Sequence, residues 1–254
     1  MRQVEKYILQ KIKSEGVIHM TLLDPEKASP EEALEVAYAA EIAGTSAIML
    51  GGSTMIAPSD IDEVVHAIKS KVRVPIILFP GNVSGVCKSA DAVWFMSLLN
   101  SADVYFVMGA QALGAPLVKR YGLEPIPMGY IIVGEGGAAA LIGYARQIPY
   151  DRPEVAALYA LAAQYLGMRF VYLEAGSGAK QPVPSSMIKL VRSCIDVPLI
   201  VGGGIKTGED AKNAVKAGAD IIVTGTIVEK TGSLVKEKIS EIVRSIGFSE
   251  KAKH

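Results

Sequence analysis

Short apolar runs alternate with amphipathic stretches along most of the chain. Residues 17–23 form the first apolar run and residues 220–223 form the last. Short runs rich in β-branched and aromatic residues are typical of buried strands. The stretch at 29–43 begins with Ser29-Pro30-Glu31-Glu32, which combines a capping residue, a first-turn proline and a glutamate three positions after the cap, and so predicts a helix. Alternating strands and helices predict a parallel sheet.

Eight strands are predicted, and they cover 17–23, 46–50, 75–79, 92–97, 124–133, 169–174, 198–201 and 220–223. Eight strand–helix units in 254 residues fit a (β/α)8 TIM barrel, an α/β fold. We therefore expect a single TIM-barrel domain over residues 1–254. A doubly wound sheet is the alternative, but it usually carries a glycine fingerprint after the first strand, where this chain has Asp24.

The connections in the first half of the chain are irregular. Residues 83–91 are fewer than the ~10–12 that a crossover with its helix needs, which predicts an atypical, shortened third helix. The stretch at 102–121 has helical periodicity, but Gly109 and Gly114-Ala115-Pro116 predict interruptions. Residues 134–151 are rich in glycine and alanine, and we expect them to form a long loop that is a lid candidate.

Composition excludes several classes of function. Lysine and arginine number 26, as do aspartate and glutamate, so the net charge is zero and no nucleic-acid partner is expected. No apolar run reaches the ~18 residues of a membrane span, and the first fifteen residues are charged throughout, unlike a signal peptide. We expect no integral membrane segment and a cytoplasmic location. Cys87 and Cys194 have no metal-ligand spacing.

The residues at the ends of the predicted strands are the candidates for chemistry. All strands of a TIM barrel open on one face, where active sites lie, and phosphate often binds after strands seven and eight. Gly203, Gly204, Gly225 and Thr226 stand at these two strand ends. Their backbone N–H groups, which no bulky side chain covers, predict a phosphate site there.

The stretch that follows the sixth strand combines an acid with a flexible loop. Tyr172 and Leu173 end the strand, Glu174 follows, and the loop continues as Ala175-Gly176-Ser177-Gly178. Glycines let a ligand approach the backbone closely, while the carboxylate accepts hydrogen bonds. This combination predicts a ligand with both a hydroxyl and a phosphate group, although a solvated turn is the alternative interpretation of Glu174.

Asp24 is a candidate metal ligand. It follows the first strand, and Pro25 after it argues that the carboxylate is not simply a helix cap. Mg²⁺ binds through one or two carboxylates together with phosphate oxygens and water. Ser53, at the end of the neighbouring strand, is the second candidate ligand. A turn-forming Asp-Pro pair and a helix-capping serine remain the alternatives.

Small residues near the predicted opening suggest a groove for a hydrocarbon chain, with close helix packing as the alternative. They are Ala110, Ala112, Gly114, Ala115, Gly129, Gly136, Gly137 and Ala138–Ala140. The fourth strand contains Trp94-Phe95-Met96, which cannot all face the barrel interior. Some of them must face outward, beneath a helix or at a subunit contact, and we expect Trp94 on an outer surface. His19 lies within a strand and is expected to be a core or wall residue.

Several motifs together resemble the geranylgeranylglyceryl phosphate synthases over nearly the whole chain. The motifs are Thr21–Lys27, Gly51–Ser53, Phe79–Asn82, Met96–Asn100, Gly109–Ala112, Pro125–Val133, Tyr172–Gly178 and Gly202–Ile205. The resemblance implies a TIM barrel with an atypical third helix and a Mg²⁺-dependent prenyltransferase. That activity joins geranylgeranyl diphosphate to the 3-hydroxyl of sn-glycerol 1-phosphate, the first committed step of archaeal ether-lipid synthesis. It also implies a homo-oligomer, either a dimer or a hexamer.

The resemblance also implies roles for individual residues. Glycerol 1-phosphate is expected at Tyr172–Gly178, Gly203-Gly204 and Gly225-Thr226, with Glu174 and Asp24 as catalytic residues. Mg²⁺ and the prenyl diphosphate are expected at Asp24 and Ser53. The similar heptaprenylglyceryl phosphate synthases usually carry a lysine just before the first aspartate, where this chain has Leu23. This departure favours the archaeal type, in its second subgroup, but it leaves the length of the prenyl donor open, and an enzyme that uses a longer prenyl diphosphate is the alternative.

Two other classes of function remain open on the sequence alone. A phosphosugar isomerase or lyase could use the same phosphate site, but it usually needs a lysine or an aspartate pair at strand ends. A non-catalytic lipid- or phosphate-binding barrel would leave Asp24 and Glu174 without a shared task.

Overall fold

The fold is a closed barrel of eight parallel strands in chain order. The computed structural model describes residues 3–52, 58–225 and 234–247. The strands are β1 (Ile18–Leu23), β2 (Ala47–Leu50), β3 (Ile76–Leu78), β4 (Ala92–Leu98), β5 (Glu124–Ile132), β6 (Phe170–Glu174), β7 (Leu199–Gly202) and β8 (Ile221–Thr224). The α-helices are α1 (Gln3–Glu15), α2 (Pro30–Ile42), α3 (Pro58–Lys69), α4 (Ala110–Tyr121), α5 (Gly137–Ile142), α6 (Pro153–Tyr165), α7 (Ser185–Cys194), α8 (Gly208–Lys216) and α9 (Val235–Gly247). The predicted TIM barrel is therefore confirmed.

Side chains fill the barrel interior. Alternate residues along each strand point inward and pack together. Trp94 on β4 is among them, with 1% of its surface exposed, and its ring meets that of Phe170 edge to face at 5.1 Å. The expectation that Trp94 lies on the outer surface is wrong. Phe95 points the other way and packs in the layer between strands and helices.

Helix α1 closes the end of the barrel opposite the strand C-termini. Val4 and Ile8 pack onto the interior cluster. The first N–H groups of a helix lack partners within the helix, and here the carboxylate of Glu124 accepts those of Gln3, Val4 and Glu5 at 2.7–2.9 Å. A side chain at the start of β5 therefore caps a helix about 120 residues away in sequence.

The third connection is short, as predicted. A single 3₁₀ turn at Val83–Gly85 takes the place of a helix between β3 and β4. After β4 the chain forms a π-helical turn at Tyr105–Gly109 and continues directly into α4. Ser97 donates to the carbonyl of Val107 at 2.7 Å, and Gln111 Nε2 donates to that of Phe106 at 3.1 Å. These two side chains bond carbonyl groups of the π turn.

Two details of the connections differ from the sequence prediction. Helix α4 runs through Pro116 without a break. The irregularity lies about two turns earlier, in the π-helical turn that ends at Gly109, the other predicted interruption. Ala112, whose carbonyl would have bonded the missing N–H of Pro116, is exposed to water. Residues 134–151 are not entirely loop, because they contain the short helix α5.

Candidate active site

A cavity of about 430 Å³ opens at the C-terminal ends of the strands. One side of it is polar and rich in glycine, and is lined by Tyr172, Glu174, Ser177, Gly178, Gly203, Gly204 and Gly225. The other side is apolar, and is lined by residues that include Phe79, Trp94, Phe106, Ala110, Gly114, Ala139 and Ile142. A cavity that is polar at one end and apolar at the other fits a polar ligand beside an apolar one.

The structure brings together most of the residues expected to bind glycerol 1-phosphate. Strands β6, β7 and β8 are neighbours in the barrel, which places their three terminal loops side by side. Leu173 and Ala175 belong to the predicted segment Tyr172–Gly178, but their side chains pack in the layer between strands and helices. Only their backbone could therefore contact a ligand in the cavity. Ser53 and Thr226 lie outside the described residues. The binding roles of all these residues stay predictions.

Glu174 is a buried carboxylate at the edge of the cavity. Only 6% of its surface is exposed, and its Oε1 accepts the N–H of Gly176 at 2.7 Å. Burial raises the pKa of Glu174 above its ordinary value of 4.5, while the bond from Gly176 and the phenol groups of Tyr172 and Tyr130 oppose that rise. A carboxyl group with a raised pKa is a stronger base than a solvated one.

Gly203 makes room for this carboxylate. Its φ angle is +79°, and a Cβ atom added there would stand 2.4 Å from Glu174 Oε1 and 2.5 Å from the nitrogen of Gly176. Gly204, with φ of +71°, faces the carbonyl of Gln181 in the same way. The glycines of the loop after β7 are therefore required both by their backbone conformation and by close contact.

Three aromatic rings that line the cavity pack together beside the buried carboxylate. Phe79, Tyr130 and Tyr172 pack with ring centroids 5.3–5.7 Å apart. The Tyr172 hydroxyl is buried and lacks a well-aligned hydrogen-bond partner among the described residues, although its phenol favours the charged form of Glu174. A buried hydroxyl without a partner is unfavourable in the free protein, and the nearest acceptor for this one is the carboxylate of Glu174.

Tyr130 is a site residue that the sequence interpretation did not select. It lies within β5, and the register pairs it with Tyr172 on β6. The proximity of its phenol to Glu174 follows from this register. The sequence feature that could have identified it is the stretch Tyr130-Ile131-Ile132, in which a residue with a polar hydroxyl group stands within an apolar strand.

Asp24 lies behind the cavity wall rather than in it. A Cβ atom added to Gly52, which lines the cavity, would stand 2.7 Å from Asp24 Oδ1. Asp24 Oδ1 accepts the N–H of Glu26 at 3.1 Å, and its Oδ2 lies 3.3 Å from Lys27 Nζ. The carboxylate already faces one cation, so its position suits a positive charge.

Only some of the small residues expected to form a groove line the cavity, and Gly136, Gly137, Ala138 and Ala140 are not among them. Ala110, Gly114 and Ala139 line the cavity. Ala112 and Ala115 are exposed on α4, and a Cβ atom on Gly129 would meet Ala163 at 2.7 Å on the helix side of the sheet, so for these the interpretation of close packing or surface exposure is the better one. The groove is therefore lined by Ala110, Gly114 and Ala139 together with larger apolar side chains.

The described part of the chain holds no cluster of three or more histidine, cysteine, aspartate or glutamate side chains that would bind a metal without help from a ligand. Among the same residues, no helix is long and apolar enough to cross a membrane.

Comparisons with known proteins agree with this geometry. The chain matches the PcrB family over residues 9–246. It is 56% identical over 243 residues to a geranylgeranylglyceryl phosphate synthase of Thermofilum pendens, covering 96% of this chain and 94% of that one. It is 57% identical over 246 residues to the protein of the same name from Thermococcus kodakarensis, with coverages of 96% and 97%.

A solved structure is similar over the same extent. The crystal structure of (S)-3-O-geranylgeranylglyceryl phosphate synthase from Thermoplasma acidophilum, in complex with its substrate sn-glycerol-1-phosphate, has a TM-score of 0.93 and 44% sequence identity. The match covers 97% of this chain and 99% of that one. The family match and the two relatives together show that this chain belongs to the PcrB family, among the geranylgeranylglyceryl phosphate synthases.

Proposed function

We propose that the protein joins geranylgeranyl diphosphate to the 3-hydroxyl of sn-glycerol 1-phosphate, which forms an ether and releases diphosphate. This reaction is the first committed step of archaeal membrane ether-lipid synthesis. One observation carries the proposal: the buried carboxylate of Glu174 lies between three phosphate-type loops and an apolar cavity of about 430 Å³. The names of the relatives and the sn-glycerol-1-phosphate bound in the Thermoplasma structure support it.

The polar end of the cavity holds the acceptor. Backbone N–H groups of Gly203, Gly204 and Gly225 surround its phosphate, as amides do in anion-binding loops. Glu174 accepts the hydrogen bond of a glycerol hydroxyl, and the Tyr172 hydroxyl supplies a second polar contact. Binding by the phosphate fixes the distance between the glycerol 3-hydroxyl and the apolar end of the cavity. The two reactants are then held close together in a defined orientation, which lowers the barrier to reaction.

Glu174 acts as the proton acceptor. The bond between C1 and oxygen of the allylic diphosphate breaks as the glycerol O3 bonds to C1, and the hydroxyl proton passes to a carboxylate oxygen of Glu174. The electron pair of the broken bond leaves with diphosphate. General base catalysis is most effective when the pKa of the base approaches the working pH, and burial moves the pKa of Glu174 in that direction.

Mg²⁺ is part of this proposal, with Asp24 and Ser53 as the residues that would hold it. The donor set fits, since Mg²⁺ commonly takes one or two carboxylates and completes its shell with phosphate oxygens and water. When bound, the ion would neutralise charge on the leaving diphosphate. Asp24 Oδ1 accepts the N–H of Glu26 and Oδ2 is paired with Lys27, so a bound ion would compete with Lys27 for this carboxylate.

The apolar end of the cavity holds the prenyl chain. Phe79, Trp94 and Phe106 line it, and their packing around a hydrocarbon chain excludes water from an allylic carbon with carbocation character. Exclusion of water favours ether formation over hydrolysis of the diphosphate.

The alternatives predict different products. A phosphosugar isomerase or lyase, or a barrel that only binds lipid or phosphate, would form no ether. An enzyme of the heptaprenyl type would prefer a longer prenyl diphosphate. The relatives at 56–57% identity carry the name of the geranylgeranyl enzyme and favour the shorter chain. We also propose a homo-oligomer, which light scattering of the purified protein tests.

The decisive experiment offers the protein sn-glycerol 1-phosphate with prenyl diphosphates of several lengths, with and without Mg²⁺. We expect an ether product, the highest turnover with the C20 donor, and loss of turnover when the metal is chelated. Glu174→Gln removes the proton acceptor and should lower kcat by about 10²–10⁴-fold. Asp24→Asn should raise the Mg²⁺ concentration needed for turnover.

A carboxylate that does not line the cavity serves as the matched control. Glu154 lies at the start of α6 with 57% of its side chain exposed, and Glu154→Gln should leave turnover unchanged. Absence of an ether product with every donor would refute the proposed function. Normal turnover in Glu174→Gln would refute the role of that residue alone.

A further inference from the structure

A chain of buried polar side chains connects β1, the residues before β2 and the end of β8. His19 Nδ1 lies 3.0 Å from Thr45 Oγ1, and His19 Nε2 lies 2.9 Å from Thr224 Oγ1. Thr21 donates to Thr45 Oγ1 at 3.1 Å. All four residues are at most 3% exposed. Because Ile18 and Met20 point into the barrel, His19 and Thr21 point into the layer between strands and helices.

Apolar residues normally fill this layer. Ile48 on β2 and Ile222 on β8 occupy it, whereas His19, Thr45 and Thr224 bring polar atoms into it. Burial of such groups is unfavourable unless every hydrogen bond is made, and a complete network fixes one arrangement of the chains that carry it. The network therefore holds the ends of strands in register at the cost of apolar packing.

The shortest contacts assign a direction to this chain of hydrogen bonds. Burial lowers the pKa of His19 to about 3, so the ring is neutral, with one nitrogen a donor and the other an acceptor. Thr45 Oγ1 already accepts from Thr21, and its contacts with the carbonyls of His19 and Ala47 are longer, at 3.3 and 3.4 Å. The shorter contacts favour the tautomer in which Thr45 donates to Nδ1 and the proton on Nε2 is donated to Thr224.

We infer that His19 is a positioning residue for the phosphate loop after β8, which it holds through Thr224. Thr224 is the last residue of β8, and both Thr224 and the following Gly225 line the cavity. A shift of Thr224 moves the N–H of Gly225 relative to the phosphate. This inference rests on the proposed function, since it takes sn-glycerol 1-phosphate as the ligand of that loop.

Two substitutions of His19 separate positioning from general support of the fold. The side-chain amide of Gln reaches the place of Nε2, whereas that of Asn reaches only the place of Nδ1. His19→Asn should raise the KM and the Kd for sn-glycerol 1-phosphate by about tenfold, the effect of one lost hydrogen bond. The KM for prenyl diphosphate and the kcat at saturation should stay within about twofold, because only uniform binding of the acceptor is lost. His19→Gln should stay close to the wild type.

Thr224→Val provides the second test, because it removes the other end of the same hydrogen bond and keeps the volume. It should reproduce the increase in KM, and the double variant His19→Asn with Thr224→Val should add nothing further. Equal defects in the Gln and Asn variants, or effects of His19→Asn and Thr224→Val that simply add, would overturn the inference. If neither His19 variant folds, an unchanged KM in Thr224→Val overturns it.

Binding and turnover distinguish a failure of this inference from a failure of the proposed function. Calorimetry with sn-glycerol 1-phosphate and with inorganic phosphate measures binding without chemistry. A wild-type protein that binds the acceptor but forms no ether would refute the function, and the variants would still test the positioning by their Kd. A wild-type protein that binds neither ligand would overturn both.

Discussion

The stability of the protein should fall as the pH falls from 7.5 to 5, and His19 should account for about 2 kcal/mol of that fall. Burial holds the pKa of His19 at about 3 in the folded protein, against an ordinary value of 6.5. Between these values the unfolded chain binds a proton that the folded chain does not, so acid favours unfolding. Each pKa unit corresponds to about 1.36 kcal/mol, which gives about 5 kcal/mol over the full range and about 2 kcal/mol down to pH 5.

Other groups change stability over the same range, and a comparison of variants removes them. The pKa of Glu174 is raised above 4.5, so the stability linked to this group is lost as the pH rises, the opposite sign. The pKa values of Asp62 and Glu241 are lowered from 3.8 and 4.5. The stability that these two carboxylates contribute is therefore lost only as the pH falls through and below those ordinary values. The difference between the wild type and His19→Gln isolates the histidine.

Denaturant unfolding at a series of pH values, followed by circular dichroism, measures the free energy of unfolding. The curve of His19→Gln against pH should be flatter than that of the wild type by about 2 kcal/mol between pH 7.5 and 5. Thr224→Val is the control, since it keeps the buried ring and should keep the slope. Parallel curves for the wild type and His19→Gln would show that the ring is protonated or hydrated in the folded protein, and would refute the buried network.

Three further predictions concern the site and the closed end of the barrel. Gly203→Ala should lower turnover by at least about 100-fold, because the added methyl group displaces Glu174. Gly16→Ala is the control, since Gly16 also has a positive φ but has open space around it. It should cost only about 1 kcal/mol of stability and keep turnover. Glu124→Ala removes the acceptor for the first N–H groups of α1 and should lower the unfolding free energy by about 1–2 kcal/mol; an unchanged denaturation midpoint would contradict this. Tyr130→Phe removes a phenol that lowers the pKa of Glu174, so the acid limb of the pH profile of kcat/KM should move to higher pH, and a limb that stays in place would exclude this contact.

Local signals were sufficient to predict the barrel. The predicted helix start at Ser29 depends on a few neighbouring residues, and it forms the capping box in the structure. The strand ends follow from the apolar runs, and because all strands of a barrel are parallel, the order of the loops around the mouth follows as well. The glycine loops after β6, β7 and β8 were therefore found from sequence alone.

Properties that depend on register between strands were not predictable in this way. Trp94, Phe95 and Met96 are all apolar, and both faces of β4 are covered, so the sequence pattern does not distinguish inside from outside. The contact of Tyr130 with the site depends on its pairing with Tyr172 across two strands. The connection of His19 with Thr224 joins residues 205 positions apart, and nothing near His19 in the sequence indicates it.

The electrostatics of the polar end of the cavity explain how one carboxylate serves beside a phosphate. Burial alone would favour the neutral form of Glu174, and a neutral carboxyl group accepts no proton from the acceptor hydroxyl. The N–H of Gly176 and the phenols of Tyr130 and Tyr172 oppose this effect in the free protein. A bound phosphate adds negative charge nearby, which raises the proton affinity of Glu174 further. The groups that favour the ionised form are therefore needed before the substrate arrives, and the substrate itself increases the basicity that the proposed reaction requires.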